Sequence, residues 1–168
     1  MVCNRRLWRD RLGQISLAVT TLFWGVSGNL KYVVLAWAAL VLSYNTSQAT
    51  SLLGVVAIGT AIGATWASFK ARLDTAHKVI SLGVIMGVLV IVMNGLYYIP
   101  REPVDLRLYL SWGFLFVLGM VGGYLVVPMN ALLQHRGHSL MGAGRSIAVQ
   151  NFNEQACILL LGGLYVGM

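Results

Sequence analysis

Long apolar runs separated by short charged or polar segments dominate the sequence. Runs without Asp, Glu, Lys or Arg cover residues 12–30, 32–69, 79–100 and 108–134, and residues 146–168 contain a single charged residue, Glu154. About 20 apolar residues are enough to cross the hydrocarbon core of a bilayer. The second run, at 38 residues, is too long for one crossing, and its polar segment Ser43–Gln48 predicts a break.

This pattern predicts an all-α, polytopic membrane helix bundle. We expect five transmembrane helices at about 12–43, 48–69, 79–99, 108–133 and 145–168, preceded by a segment at 1–11. The first helix is longer than a bilayer crossing needs, and the weak helix formers Gly25, Ser27, Gly28 and Asn29 in its middle predict a kink.

Composition and charge agree with a membrane protein. The 168 residues are 58% hydrophobic and 10% charged, with a net charge of +7, whereas a soluble domain carries about 25% charged residues. A nucleic-acid partner is therefore not expected. The predicted helices place nine basic residues on one side of the membrane: Arg5, Arg6, Arg9, Arg11, Lys70, Arg72, Lys78, Arg136 and Arg145. Only Arg101 and Arg107 fall on the other side, so we expect the amino terminus in the cytoplasm.

The two ends of the chain resemble internal positions of a longer protein. The basic start has no signal-peptide pattern, and the last apolar run stops at Met168 without the polar anchor that usually closes a final span. We expect a fragment of a longer transporter, inactive by itself; the alternative is a small five-span protein.

Lys31 stands within the first predicted helix, with apolar residues on both sides. A cation in a membrane helix costs roughly 2.5–3.5 kcal/mol on insertion scales. Lys31 is therefore expected to face a cavity or a partner, or else to extend toward the membrane surface from near a helix end.

The fifth predicted helix carries a polar group inside an apolar run. Gln150 and Glu154 are four residues apart and so share one helix face, with Asn153 beside it. Asn130, two residues after Pro128, is a weaker candidate for the same cavity. These residues indicate a substrate or ion path, or interhelical hydrogen bonds that hold a bundle together. The third helix offers only Ser81 and Asn94 and is expected to be a support.

Glycine pairs four residues apart occur in four of the predicted helices and are typical of close helix packing in lipid. They are Gly59 and Gly63, Gly83 and Gly87, Gly119 and Gly123, and Gly163 and Gly167. His135 and His138 fall in a predicted basic loop without further metal ligands, so a solvated loop is the better interpretation. No metal or other cofactor is expected.

Three segments carry a resemblance to a known family. They are TLFWG at 21–25, VVPMNALLQ at 126–134 and GAGRSIAVQN at 142–151. With them, the chain from about Leu7 to Met168 resembles the bacterial lysophospholipid transporters of the major facilitator superfamily. The resemblance implies a protein of twelve spans in two halves, of which this chain would supply spans seven to eleven, most of the carboxyl-terminal half.

The resemblance also implies a function. Such a protein moves lysophospholipids, chiefly lysophosphatidylethanolamine, from the outer to the inner leaflet of the bacterial inner membrane. Its partners would be the missing amino-terminal half and an acyltransferase/acyl carrier protein synthetase that restores the second acyl chain. Lys31 stands where the family carries a basic residue.

Together the residues and the resemblance suggest how a lysophospholipid could bind. Lys31 would attract the phosphate, and Glu154 with Gln150 and Asn153 would receive the ammonium. Asn29 and Asn130 complete the candidate substrate-binding residues, and no residue is expected to be catalytic.

Two alternatives remain at this point. One is an exporter of drugs or other small molecules from the same superfamily. The other is an intramembrane lipid-modifying enzyme with Glu154 or His135 as base, although no set of Ser, His and Asp converges on one helix face as catalysis would require.

Overall fold

The computed structural model describes residues 7–70, 81–98 and 104–167, and its regular structure there is helical throughout. Five α-helices follow one another: α1 (Arg11–Leu42), α2 (Thr46–Lys70), α3 (Ser81–Gly95), α4 (Val104–Met141) and α5 (Ala143–Gly167). A 3-10 turn, Leu96–Tyr98, continues α3. The predicted helical bundle is confirmed. Arg5, Arg6, Arg72, Lys78 and Arg101 lie outside the described residues.

Three helices in the described part of the chain are long and apolar enough to cross a membrane: α1, α2 and residues Leu106–Met141 of α4. Helix α3 is apolar and has 15 residues; residues 79, 80 and 99 of the span predicted from the sequence lie outside the described residues. Helix α5 has 25 residues, which is long enough, and it contains the polar residues between 150 and 154.

The break between α1 and α2 lies where the polar segment predicted it. Ser43 has a left-handed backbone conformation, with φ of 55°, which ends α1. The Gln48 amide then donates to Asn45 Oδ1 at 2.9 Å, and the Asn45 amide donates to Gln48 Oε1 at 3.2 Å. This reciprocal pair satisfies two backbone amides and is a capping box that starts α2.

Helix α4 is longer than predicted. It begins at Val104 and continues to Met141. The prediction that His135 and His138 lie in a loop is therefore wrong. Both histidines are exposed, but they lie on a helix. The end of the helix is packed: its last residue, Met141, lies against the buried cluster of Leu7, Leu17 and Leu133.

The connection between α4 and α5 is one residue, Gly142, with φ of 85°. Its amide donates to the His138 carbonyl at 3.0 Å, and its carbonyl accepts from the Ser146 amide at 3.1 Å. Glycine adopts this left-handed conformation at little cost, which is why it commonly follows a helix end.

The described chain divides into two compact units. Of the described residues, the terminal unit contains 7–30 and 126–167, and the central unit contains 31–70, 81–98 and 104–125. Helices α1 and α4 each contribute residues to both units, whereas α5 belongs to the terminal unit alone.

In the central unit, two of the four predicted glycine pairs form one interface between α2 and α4. A Cβ on Gly59 or Gly63 would collide with the backbone of Phe116 or Met120 in α4. Reciprocally, a Cβ on Gly119 or Gly123 would collide with the backbone of α2 at Val56 and Thr60. Around the other two predicted pairs, at 83/87 and 163/167, no atom of the described residues would contact an added Cβ.

In the terminal unit, small residues of α1 allow close contact with α5. A Cβ on Gly25 would overlap the side chain of Cys157, and one on Gly28 would lie 3.0 Å from the side chain of Ile158. The weak helix formers in the middle of α1 therefore have a packing role, since larger side chains would separate the two helices.

Candidate functional site

A partly buried polar cluster lies between α4 and α5 in the terminal unit. The Gln150 amide nitrogen donates to Asn130 Oδ1 at 3.0 Å and to Glu154 Oε1 at 2.8 Å. Gln150 and Glu154 are 8% and 9% exposed. The structure thus brings together three of the residues selected from the sequence, and the spacing of four residues in α5 puts Gln150 and Glu154 in direct contact.

The cluster has a defined chemical character. An ionised carboxylate accepts hydrogen bonds and attracts cations, whereas a side-chain amide offers both a donor and an acceptor. Burying a carboxylate without partners is costly, and here the Gln150 amide donates to Glu154 while bound to Asn130. A ligand group with N–H donors and a positive charge, such as a primary ammonium, suits this arrangement.

Asn153 and Asn29 have their amide nitrogens bound to backbone carbonyls. The Asn153 amide donates to the Val149 carbonyl of its own helix at 2.7 Å. The Asn29 amide donates to the carbonyls of Gly25 at 2.9 Å and Ile158 at 3.1 Å. Asn29 therefore links α1 to α5 and helps to fix the helix that carries the cluster.

Lys31 lies in the central unit, not in the terminal unit that holds the cluster. Its side chain is exposed, and its Nζ atom is 4.9 Å from the centre of the Tyr32 ring. This is within the range of a cation–π contact, so an exposed cation is held beside an aromatic face.

Arg107 differs from the prediction, which placed it in an outer loop. It lies in the first turns of α4, is 7% exposed, and its Nη1 atom donates to the Val41 carbonyl at 2.8 Å. Val41 is next to the last residue of α1, and the last four carbonyls of a helix lack partners within it. Arg107 is buried because it satisfies one of them. Arg107 and Val41 are 66 residues apart in the sequence, and no sequence pattern indicates that they form a hydrogen bond.

Within the described ranges, no three His, Cys, Asp or Glu side chains cluster as metal ligands would. His135 and His138 are exposed on α4, three residues apart.

Comparison with known proteins finds relatives along nearly the whole chain. The chain is 36% identical over 160 residues to the lysophospholipid transporter LplT of Serratia proteamaculans, covering 95% of this chain. It is 37% identical over 160 residues to the protein of the same name from Yersinia enterocolitica, and 36% identical over 162 residues to that of Klebsiella pneumoniae. The chain is homologous to part of the lysophospholipid transporters.

The match covers only a portion of those transporters. The chain spans 38% of the length of the Serratia transporter and 37% of that of the Yersinia transporter. No protein-family model matches the chain, and no solved structure matches it. Homology to the lysophospholipid transporters and the long apolar helices together indicate a multi-pass membrane protein.

Proposed function

We propose that the chain is part of a transporter that moves lysophospholipids from the outer to the inner leaflet of a bacterial inner membrane. The observation that carries the proposal is a hydrogen-bonded Asn130–Gln150–Glu154 cluster, with Gln150 and Glu154 buried, in a chain homologous to lysophospholipid transporters over 95% of its length. Polar groups within membrane helices are costly and mark substrate and ion paths.

The chain would supply spans seven to eleven of a major facilitator fold, with its amino terminus in the cytoplasm, the side that the excess of basic residues favours. The remaining spans would come from the rest of the protein. Alternating access would follow from rocking of the two halves about a central site. An acyltransferase/acyl carrier protein synthetase would then re-acylate the delivered lipid, so the transporter itself performs no catalysis.

The roles of the site residues follow from charge. Lysophosphatidylethanolamine carries a phosphate, an ammonium and one acyl chain. Glu154 receives the ammonium, while Gln150 and Asn130 hold the carboxylate in position through their hydrogen bonds. Asn153 adjoins the cluster, and Asn29 positions α5. Lys31 stays a prediction from the sequence: as a point charge it would attract the phosphate.

A chimaera tests the proposal. Residues 7–166 replace the homologous segment of the Yersinia enterocolitica transporter in cells that lack their own copy, and uptake of labelled lysophosphatidylethanolamine into spheroplasts is measured. We expect uptake by the chimaera and a loss of at least about 10-fold with Glu154→Gln, since the loss of one charge interaction of ~1.4 kcal/mol corresponds to that factor. Glu154→Gln keeps an oxygen that can accept the hydrogen bond from Gln150 and so tests the charge.

The matched control is Gln155→Ala, which alters the next residue of α5, an exposed one. The control should transport normally, and both variants should reach the membrane in equal amounts. A chimaera that is present in the membrane but does not transport would refute the function, and full uptake with Glu154→Gln would refute the role of the carboxylate.

A further inference from the structure

A second candidate site lies in the central unit, among α2, α3 and α4. A cavity of about 380 Å³ is lined by Trp66, Lys70, Leu82, Met120, Val121 and Tyr124. Its volume is within the roughly 300–1,000 Å³ of small-molecule sites. None of these residues belongs to the polar cluster, and the cavity is not assigned by the proposed transport path.

The aromatic residues give the cavity a fixed wall. The rings of Trp66 and Tyr124 meet edge to face, with centroids 6.1 Å apart and an interplanar angle of 84°. Lys70 Nζ lies 5.4 Å from the centre of the Trp66 ring. The cation is therefore held at the rim by a cation–π contact, while the other lining residues are apolar.

The cavity lies at a basic helix end. Lys70 is the last residue of α2, the basic end of that helix, and Trp66 and Phe69 beside it are 47% and 83% exposed. Tryptophan and basic residues at a helix end are typical of the membrane–water interface. Basic pockets between membrane helices on the cytoplasmic side bind anionic head groups.

We propose that this cavity binds an anionic phospholipid of the surrounding bilayer, with its phosphate at Lys70 and an acyl chain against the apolar wall. Among the described residues that line the cavity, Lys70 is the only charged one, so those residues offer no carboxylate to an ammonium. An anionic head group fits this rim better than a zwitterionic one, which separates the cavity from the Glu154 cluster.

The test measures lipid binding by the whole chain, purified in detergent, with native mass spectrometry. The chain is titrated with phosphatidylglycerol and with phosphatidylcholine of the same acyl chains. We expect phosphatidylglycerol to bind about five-fold more tightly, the factor that one basic residue near a head group supplies. Lys70→Gln should abolish this preference and Lys70→Arg should retain it.

Two further variants separate the site from general effects. Arg145→Gln removes an equal charge from the exposed first turn of α5 and should keep the preference. Val121→Phe fills the cavity without changing its charge and should weaken the binding of both lipids. An equal affinity for the two lipids, an unchanged preference in Lys70→Gln, or its loss in Arg145→Gln would each overturn the assignment.

The remaining occupants are distinguished in the same experiment. Lysophosphatidylglycerol that binds more tightly than phosphatidylglycerol would assign the cavity to the transported lipid class and overturn a bilayer-lipid site. Binding by the isolated chain that disappears in the chimaeric transporter would show that another segment of the protein covers the cavity, and would also overturn it. These outcomes do not depend on whether the chimaera transports.

Discussion

Replacement of Gly63 by alanine tests the interface between α2 and α4. A Cβ at this position would overlap the carbonyl group of Met120 in α4. Because the obstructing atoms belong to the backbone, no change of side-chain rotamer can relieve the overlap. The two helices must move apart at this point, which also weakens the neighbouring contact of Gly59 with Phe116.

The expected magnitude can be worked out with an internal reference. Gly54 lies in the same helix, and a Cβ there would meet open space. Alanine is preferred over glycine in a helix by roughly 0.5–1 kcal/mol, so Gly54→Ala should stabilise the chain by about that amount. An extra group forced into a packed interface costs roughly 1–3 kcal/mol. The same substitution at the two sites should therefore have opposite signs.

The assay is unfolding of the purified chain in mixed micelles with increasing sodium dodecyl sulfate, followed by circular dichroism and tryptophan fluorescence. Gly63→Ala should unfold at a lower, and Gly54→Ala at an equal or higher, mole fraction of the denaturing detergent than the unmodified chain. Equal stability of the two variants would refute the close backbone contact between α2 and α4.

Two other substitutions test single residues. In the chimaeric transporter, Lys31→Ala should reduce lysophospholipid uptake about 10-fold or more, whereas Lys31→Arg should retain uptake, because the proposed role depends on a cation. Unchanged uptake with Lys31→Ala would contradict the phosphate role. Arg107→Met removes the charged donor to the Val41 carbonyl and should lower the free energy of unfolding by about 1.5–3 kcal/mol in the detergent titration. The control Tyr109→Phe, at an exposed position of α4, should leave it unchanged. Equal stability of the two variants would contradict the capping role of Arg107.

The number and order of the helices could be predicted because they depend on composition. A run without charges is favourable in lipid wherever its neighbours lie, and the break before α2 depends on adjacent residues, such as Asn45 and Gln48, that cap each other. The end of α4 could not be predicted in this way. There Met141 packs against a cluster that includes Leu7 and Leu17, residues more than a hundred positions away.

The candidate site, like the fold, could be predicted only where its contacts lie within one helix. The contact between Gln150 and Glu154 follows from helix geometry alone, whereas the bond from Gln150 to Asn130 requires two helices to meet at one level. The burial of Arg107 required knowledge of where α1 ends. Likewise, the sequence cannot separate the packed pair at 59/63 from the open pair at 83/87, because the facing helix decides it.

The single-residue connection at Gly142 has a mechanical consequence. Asn130 precedes Gly142 on α4, whereas Gln150 and Glu154 follow it on α5. No other residue separates the two helices. Any tilt of α5 against the end of α4 must be absorbed by the two backbone torsions of one glycine, and it would pull directly on the hydrogen bond from Gln150 to Asn130. The backbone torsions of Gly142 and the hydrogen bond from Gln150 to Asn130 are therefore coupled, and a change in one should change the other.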